Sequence, residues 1–317
     1  MKLIRTKALA VGAVLALSLT ACGDDTETGG DAVDVNVNEE SDFPEGSTMA
    51  KLADAGKITI GVKIDQPGIG FLEPGADAPE GFDIEMGRII AGALGIEDDG
   101  SIEWKETISD NREPFLEAGK VDLVLASYSI TDDRRKVVGQ AGPYYVTGQQ
   151  LLVREEDKDK ITSPEDLKGV KVCSVEGSTS LATVQDEYGA SPSPRGTYSE
   201  CVEELKQNTV DVVTTDGAIL LGYAAQAPDE LEVVGKAFSE ERYGIGYQLD
   251  DTEFCEFLSE TVQTSIEDGT WETAFEATLG QSGVETPEPP DARRVPVARH
   301  TGWRWSAFSA PATPLVE

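Results

Sequence analysis

The chain has 317 residues and a formal net charge of −33, from 59 acidic against 26 basic residues. So acidic a balance argues against a nucleic-acid binder, which needs a basic face to displace counterions. Its one histidine, His300, lies in a Pro-rich C-terminal stretch. A Ser–His–Asp triad, an HExxH zinc site and a His general base are therefore excluded from the body of the protein.

Lys2, Arg5 and Lys7 precede an apolar run at 8–21. The run is too short to span a bilayer and has the length of a signal-peptide core. It ends Leu19-Thr20-Ala21-Cys22-Gly23, which resembles a bacterial lipobox. Residues 1–21 then read as a lipoprotein signal peptide and Cys22 as the lipidated residue. Several acyl chains on one cysteine anchor stably where a single chain does not. Residues 22–49 are dominated by Gly, Asp, Glu, Asn and Thr, and are expected to form a disordered, lipid-anchored tether.

From there the chain alternates strand and helix signals. Lys57–Lys63 is β-rich. Gly81 opens a helix with Met86, Ile89, Ile90, Ala93 and Leu94 on one stripe, and Gly95 closes it. Ile102–Lys105 is a strand. Asp110 is placed to cap a helix from Asn111 to Ala118, ended by Gly119. Val121–Ala126 is a buried strand, and Thr131-Asp132-Asp133 starts another helix. Residues 141–151 carry turn and strand signals and are expected to cross into a second lobe. Ser163-Pro164 starts a capped helix. Glu241–Tyr247 is a return strand, and Thr252–Leu279 is helical. This βαβ grammar predicts an α/β protein with parallel sheets and helices on both faces. The expected lobes are 50–146 with 243–283, and 147–242. Residues 284–317 lack periodicity and are expected to be a disordered tail.

In an oxidising compartment, Cys173, Cys201 and Cys255 allow one disulfide and one thiol. Cys173 and Cys201 fall in the same half of the chain and are the preferred pair, with a bridge through Cys255 left open. An internal repeat spans the two lobes. Leu116, Val121, Asp122, Val124 and Ser127 recur 89 residues later as Leu205, Val210, Asp211, Val213 and Asp216. Each copy ends a buried strand on a polar residue. Ligands of open α/β sheets bind beyond such strand ends, so Ser127 and Asp216 become equivalent points on two sides of one cleft.

Residues 57–280 resemble the extracellular solute-binding proteins of polar amino-acid ABC importers (family 3), and among them the glutamate-binding lipoproteins of high-GC Gram-positive bacteria. The motifs that carry the resemblance are Ile60-Gly-Val-Lys-Ile-Asp-Gln-Pro67, Gly81-Phe-Asp83, Val121-Asp122, Ser129-Ile-Thr-Asp-Asp-Arg134, Gly142-Pro-Tyr-Tyr145, Gly177-Ser-Thr179, Val210-Asp211 and Thr215-Asp216. It implies a two-lobed, periplasmic-binding-protein-like (type II, Venus flytrap) fold with two hinge strands that closes on an amino acid. It also implies a permease partner at the extracellular face of the cytoplasmic membrane, and neither cofactor nor metal.

An acidic amino acid needs two cationic sites and one anionic site. Arg134 sits where the family places its α-carboxylate clamp, a bidentate task suited to a guanidinium. Gly177-Ser178-Thr179 is a strand-to-helix turn whose N–H groups and hydroxyls suit the same carboxylate. Ser127 and Ser129 add a carbonyl and a donor, and Asp216 takes the ammonium. In acidic-amino-acid binders of the family, a Lys and an Arg at the positions of Lys63 and Arg112 approach the distal carboxylate. Their joint presence in so acidic a chain favours glutamate or aspartate over glutamine. Three alternatives stand beside this reading: a glutamine or general polar amino-acid binder, a dehydratase-like enzyme on the same fold, and a sensor domain that binds a protein partner.

Overall fold

The structure is a computed structural model and describes residues 33, 35–38 and 42–293. The expected signal peptide, Cys22 and the stretch 294–317 lie outside the described residues.

The chain begins α1 (Thr48–Ala55), β1 (Ile58–Val62), a small hairpin of β2 (Asp65–Gln66) and β3 (Gly70–Phe71), α2 (Phe82–Ala93), β4 (Ile102–Glu106), α3 (Arg112–Glu117) and β5 (Leu123–Leu125). A long strand β6 (Gly139–Thr147) leads directly into β7 (Gln149–Arg154) of a second sheet. There follow β8 (Lys171–Val175), α4 (Thr179–Asp186), β9 (Ser191–Arg195), α5 (Tyr198–Lys206), β10 (Val212–Asp216), α6 (Gly217–Gln226) and β11 (Leu231–Val234). β12 (Glu241–Tyr247) returns to the first sheet, and α7 (Thr252–Asp268) and α8 (Thr270–Ala277) pack onto it.

The two sheets run β4-β1-β5-β12-β6 and β11-β7-β10-β8-β9. Both are mixed, which corrects the all-parallel expectation. β1 pairs parallel with β4 and β5, and β8 pairs parallel with β9 and β10. β12 runs antiparallel to β5 and β6, and β7 antiparallel to β10 and β11. The antiparallel members are the strands on either side of the two crossings between sheets, where the chain must turn back. Alternation along β5 puts Leu123 and Leu125 in the main core with α2, while Val124 faces a separate cluster with Leu116 and Tyr128. Helices therefore cover both faces of the first sheet. Phe82 at the start of α2 meets the rings of Tyr144, Tyr145, Trp271 and Phe275, and Trp271 Nε1 donates to the Tyr144 carbonyl at 2.8 Å. α8 is thereby fixed to the connecting strand β6.

Several local expectations are corrected. Thr131-Asp132-Asp133 opens only a short 3-10 turn, Arg134–Lys136, because the Val138–Val146 run continues as strand. Asp110 does not cap α3. It lies inside a 3-10 turn, Ser109–Asn111, that feeds the helix. β9 carries two prolines, a demoting signal in sequence, but it is an edge strand, where a missing N–H costs no ladder bond.

The described part of the expected tether is packed: Val33, Val35 and Phe43 lie against the core, and Asn38 N donates to the Gly92 carbonyl at 2.9 Å. α1 starts at Thr48 with the Ser47 hydroxyl as its cap. Val33, Val35 and Val37 alternate with polar residues in sequence, a strand-like spacing, while Phe43 stands alone. The expected tail is likewise packed as far as 293, where Ala292 is buried and Arg293 pairs with Glu260 at 2.9 Å. Cys173 and Cys201 form a disulfide, and Cys255 is a buried free thiol.

Candidate functional site

One cleft draws its walls from both lobes. Lobe one contributes Ser109, Arg112, Ser127, Ser129 and Arg134, and lobe two contributes the Ser178–Ser180 turn, Tyr198, Thr215, Asp216 and Ile219. Seven of the eight ligand-binding residues expected from sequence meet there. The eighth, Lys63, lies behind Ser109, with its Nζ donating to Ser109 Oγ at 2.8 Å.

Ser127 follows β5 with φ of 43°, a left-handed backbone at a residue with a side chain. Such a conformation costs on the order of 1–3 kcal/mol and persists only where neighbours fix it. Asp83, in the first turn of α2, does so: its carboxylate accepts from Ser127 N at 2.7 Å and from the Tyr144 hydroxyl at 2.7 Å. Burial pushes the Asp83 carboxyl up to about 6, against the two hydrogen bonds and Lys63, which pull it down. The turn exposes the carbonyls of Ala126 and Ser127 to Arg112.

Arg112 is buried and donates from Nε to the Ser109 carbonyl at 3.1 Å and from one terminal nitrogen to Ala126 and Ser127 at 3.2 and 3.1 Å. Its other terminal nitrogen reaches across to the Gly177 carbonyl at 3.0 Å. A guanidinium has five N–H donors, so this leaves Arg112 one free. Arg134 donates to the Ser129 carbonyl at 2.7 Å and to Gly177 at 2.8 Å, and pairs through Nε with Glu113 at 3.1 Å, leaving two donors. Both cations lie over the Tyr128 ring, at 4.6 and 4.9 Å from its centre. Burial, then Arg134, lowers Arg112 to about 10. Burial, then Arg112, lowers Lys63 to about 7.

The Gly177 carbonyl thus accepts from both arginines of the opposite lobe. Gly177 has φ of +74°, and a Cβ there would stand 2.9 Å from Asp110 Cα. Only glycine allows this approach. A second bridge lies beside it: Asp65 Oδ2 in β2 accepts from Tyr198 N at 2.9 Å and Ser199 N at 3.3 Å, at the start of α5. A lobe-one carboxylate therefore caps a lobe-two helix.

In lobe two, Ser178 Oγ accepts from Leu181 N at 3.0 Å as the cap of α4, and the Thr179 hydroxyl donates to Glu241 at 3.1 Å. Asp216 ends β10. Its Oδ2 accepts from the Tyr243 hydroxyl at 2.7 Å, while its Oδ1 is buried without a partner. Burial, then Glu241, raises this carboxyl to about 7. Among the cleft residues, Ser109, Ser180, Tyr198 and Ile219 carried no sequence signal. Thr215, Asp83 and Tyr144 stood inside motifs but without a stated role.

Two α/β lobes joined by a pair of long strands, with guanidinium groups and a buried carboxylate facing one cleft, define a two-lobed solute-binding protein of type II. The model of the bacterial extracellular solute-binding proteins, family 3, matches residues 58–281, and the chain belongs to that family. It is 38% identical over 289 residues to the glutamate-binding protein GluB of Corynebacterium efficiens, covering 87% of this chain and 91% of that one. It is 34% identical over 220 residues to the glutamine-binding protein of Geobacillus stearothermophilus, covering 68% and 81%. Among solved structures, an ancestral arginine-binding protein bound to arginine is similar with a TM-score of 0.65 and 35% identity, over 70% of this chain and 97% of that one. The family is one of solute-binding proteins, which are not enzymes.

Proposed function

We propose that the chain binds L-glutamate between its lobes, with L-aspartate as the next-best ligand, and delivers it to the permease of an ABC importer. The observation that carries this reading is the pairing of Asp216, whose buried Oδ1 lacks a partner, with two guanidinium groups in one cleft. A buried polar group without a partner is costly, and an ammonium would supply the missing donors. In this reading Arg134, with its two free donors, and the Ser178–Thr179 turn take the α-carboxylate. Ser127 and Ser129 flank it, Arg112 faces the distal carboxylate, and Lys63 stands behind Ser109 at that end of the cleft. The names of the Corynebacterium relatives support glutamate.

Isothermal titration against glutamate, aspartate, glutamine and asparagine tests the reading. Glutamate should bind most tightly, and a preference for glutamine would refute it. Cys22 is proposed as the lipid anchor at the extracellular face of the cytoplasmic membrane. Cys22→Ala should release the protein or leave it unprocessed, and unchanged acylation and retention would refute that role.

A further inference from the structure

Lys63 Nζ donates to Ser109 Oγ at 2.8 Å, and both side chains are buried. A carboxylate bound beside Lys63 favours its charged form, and an ammonium has donors only. It therefore occupies a lone pair of the serine oxygen, and the hydroxyl proton has to find a different acceptor. Among the described residues no group accepts that proton. Ser109 lines the cleft, whereas Lys63 does not. The Ser109 main chain is also held, its carbonyl accepting from Arg112 Nε at 3.1 Å. The hydroxyl is thus a donor whose remaining acceptor lies in the cleft.

We infer that Ser109 reads the far end of the ligand, selecting a carboxylate over an amide, and that Lys63 is a positioning residue that fixes the serine as a donor. The inference rests on the reading that the cleft takes glutamate. A carboxylate offers acceptors on every side. A primary amide offers an acceptor on one side and an NH2 on the other. In a pocket end made of Ser109 Oγ–H and the remaining Arg112 N–H, one of its faces must meet a donor with a donor. Specificity then comes from a mismatch built against the amide as much as from attraction to the acid.

The test is titration of glutamate and glutamine into the wild type, Ser109→Ala, Ser109→Thr, Lys63→Met and the double variant. Ser109→Ala should weaken glutamate about tenfold to a hundredfold, the value of a hydrogen bond to a charged group, and weaken glutamine much less. Lys63→Met should narrow the glutamate-to-glutamine ratio by the same factor, and Lys63→Met with Ser109→Ala should go no further. Ser109→Thr, which keeps the hydroxyl, should restore the ratio. A Ser109→Ala protein that loses both ligands in equal proportion overturns the assignment. So does a double variant whose losses add, because Lys63 would then touch the ligand itself. A wild type that binds no glutamate overturns the functional reading, and this inference with it.

Discussion

Asp216→Asn should move stability and binding in opposite directions. The side chain is 4% exposed and its carboxyl is held at about 7 against an ordinary 3.8. At 1.36 kcal/mol per pH unit, ionising it in the fold costs about 4 kcal/mol. An acid held above its ordinary value binds its proton longer in the folded state. Its contribution is therefore intact below about pH 4 and is lost as the pH rises to about 7. Asparagine keeps the shape and an oxygen for the Tyr243 hydroxyl but carries no charge. The variant should match the wild type near pH 4 and exceed it by a few kcal/mol at pH 8 in urea unfolding without ligand. Binding should respond the other way. Removing the countercharge of a buried ammonium costs on the order of 2–5 kcal/mol, about thirtyfold to several thousandfold in affinity. Wild-type affinity should also decline, approaching tenfold per pH unit, as the pH falls below about 7 and Asp216 takes up its proton. The variant should lose this dependence. An Asp216→Asn protein that binds glutamate like the wild type, or is less stable than it at pH 8, would refute the reasoning.

Arg134→Ala should weaken glutamate and glutamine together, by on the order of 2–5 kcal/mol, because the α-carboxylate is common to both; titration that shows a changed ratio would count against this role. Replacing Cys173 and Cys201 together by alanine should cost roughly 2–4 kcal/mol in denaturant unfolding, with glutamate still bound by the folded fraction. Gly177→Ala should leave each lobe folded but block their approach, since its Cβ would stand 2.9 Å from Asp110 Cα. Small-angle scattering should then show no compaction with glutamate, and wild-type compaction would sink that idea.

The lobe elements were legible because they follow local rules. The stripe from Met86 to Leu94 and the Glu241–Tyr247 strand each announce themselves within a few residues, and the Ser163-Pro164 start is capped as expected, although it opens only a 3-10 turn, Pro164–Leu167, and no longer helix. The 89-residue repeat went further, placing Ser127 and Asp216 across one cleft. Strand direction was not legible, because β7 and β12 read the same whichever way their neighbours run. Nor was the working state of the cations. Lys63 and Arg112 were visible as bases in motifs, but Arg112 is largely engaged by backbone carbonyls and Lys63 by a serine. Apart from the Ser109 carbonyl, which lies in the turn just before Arg112, those partners come from turns at least 14 residues away. Tyr198 meets the cleft at the first residue of α5, an end capped by Asp65 of the other lobe, a contact 133 residues away along the chain.

That docking gives the protein a built-in reporter of its own motion. The amides of Tyr198 and Ser199 have their acceptor in the opposite lobe, so they are sheltered only while the two halves meet. A parting of the lobes would bare the first turn of α5, with its partial positive charge, to solvent. Deuterium uptake at these two positions, followed against solute concentration, would report openings without any attached probe and without waiting for transport.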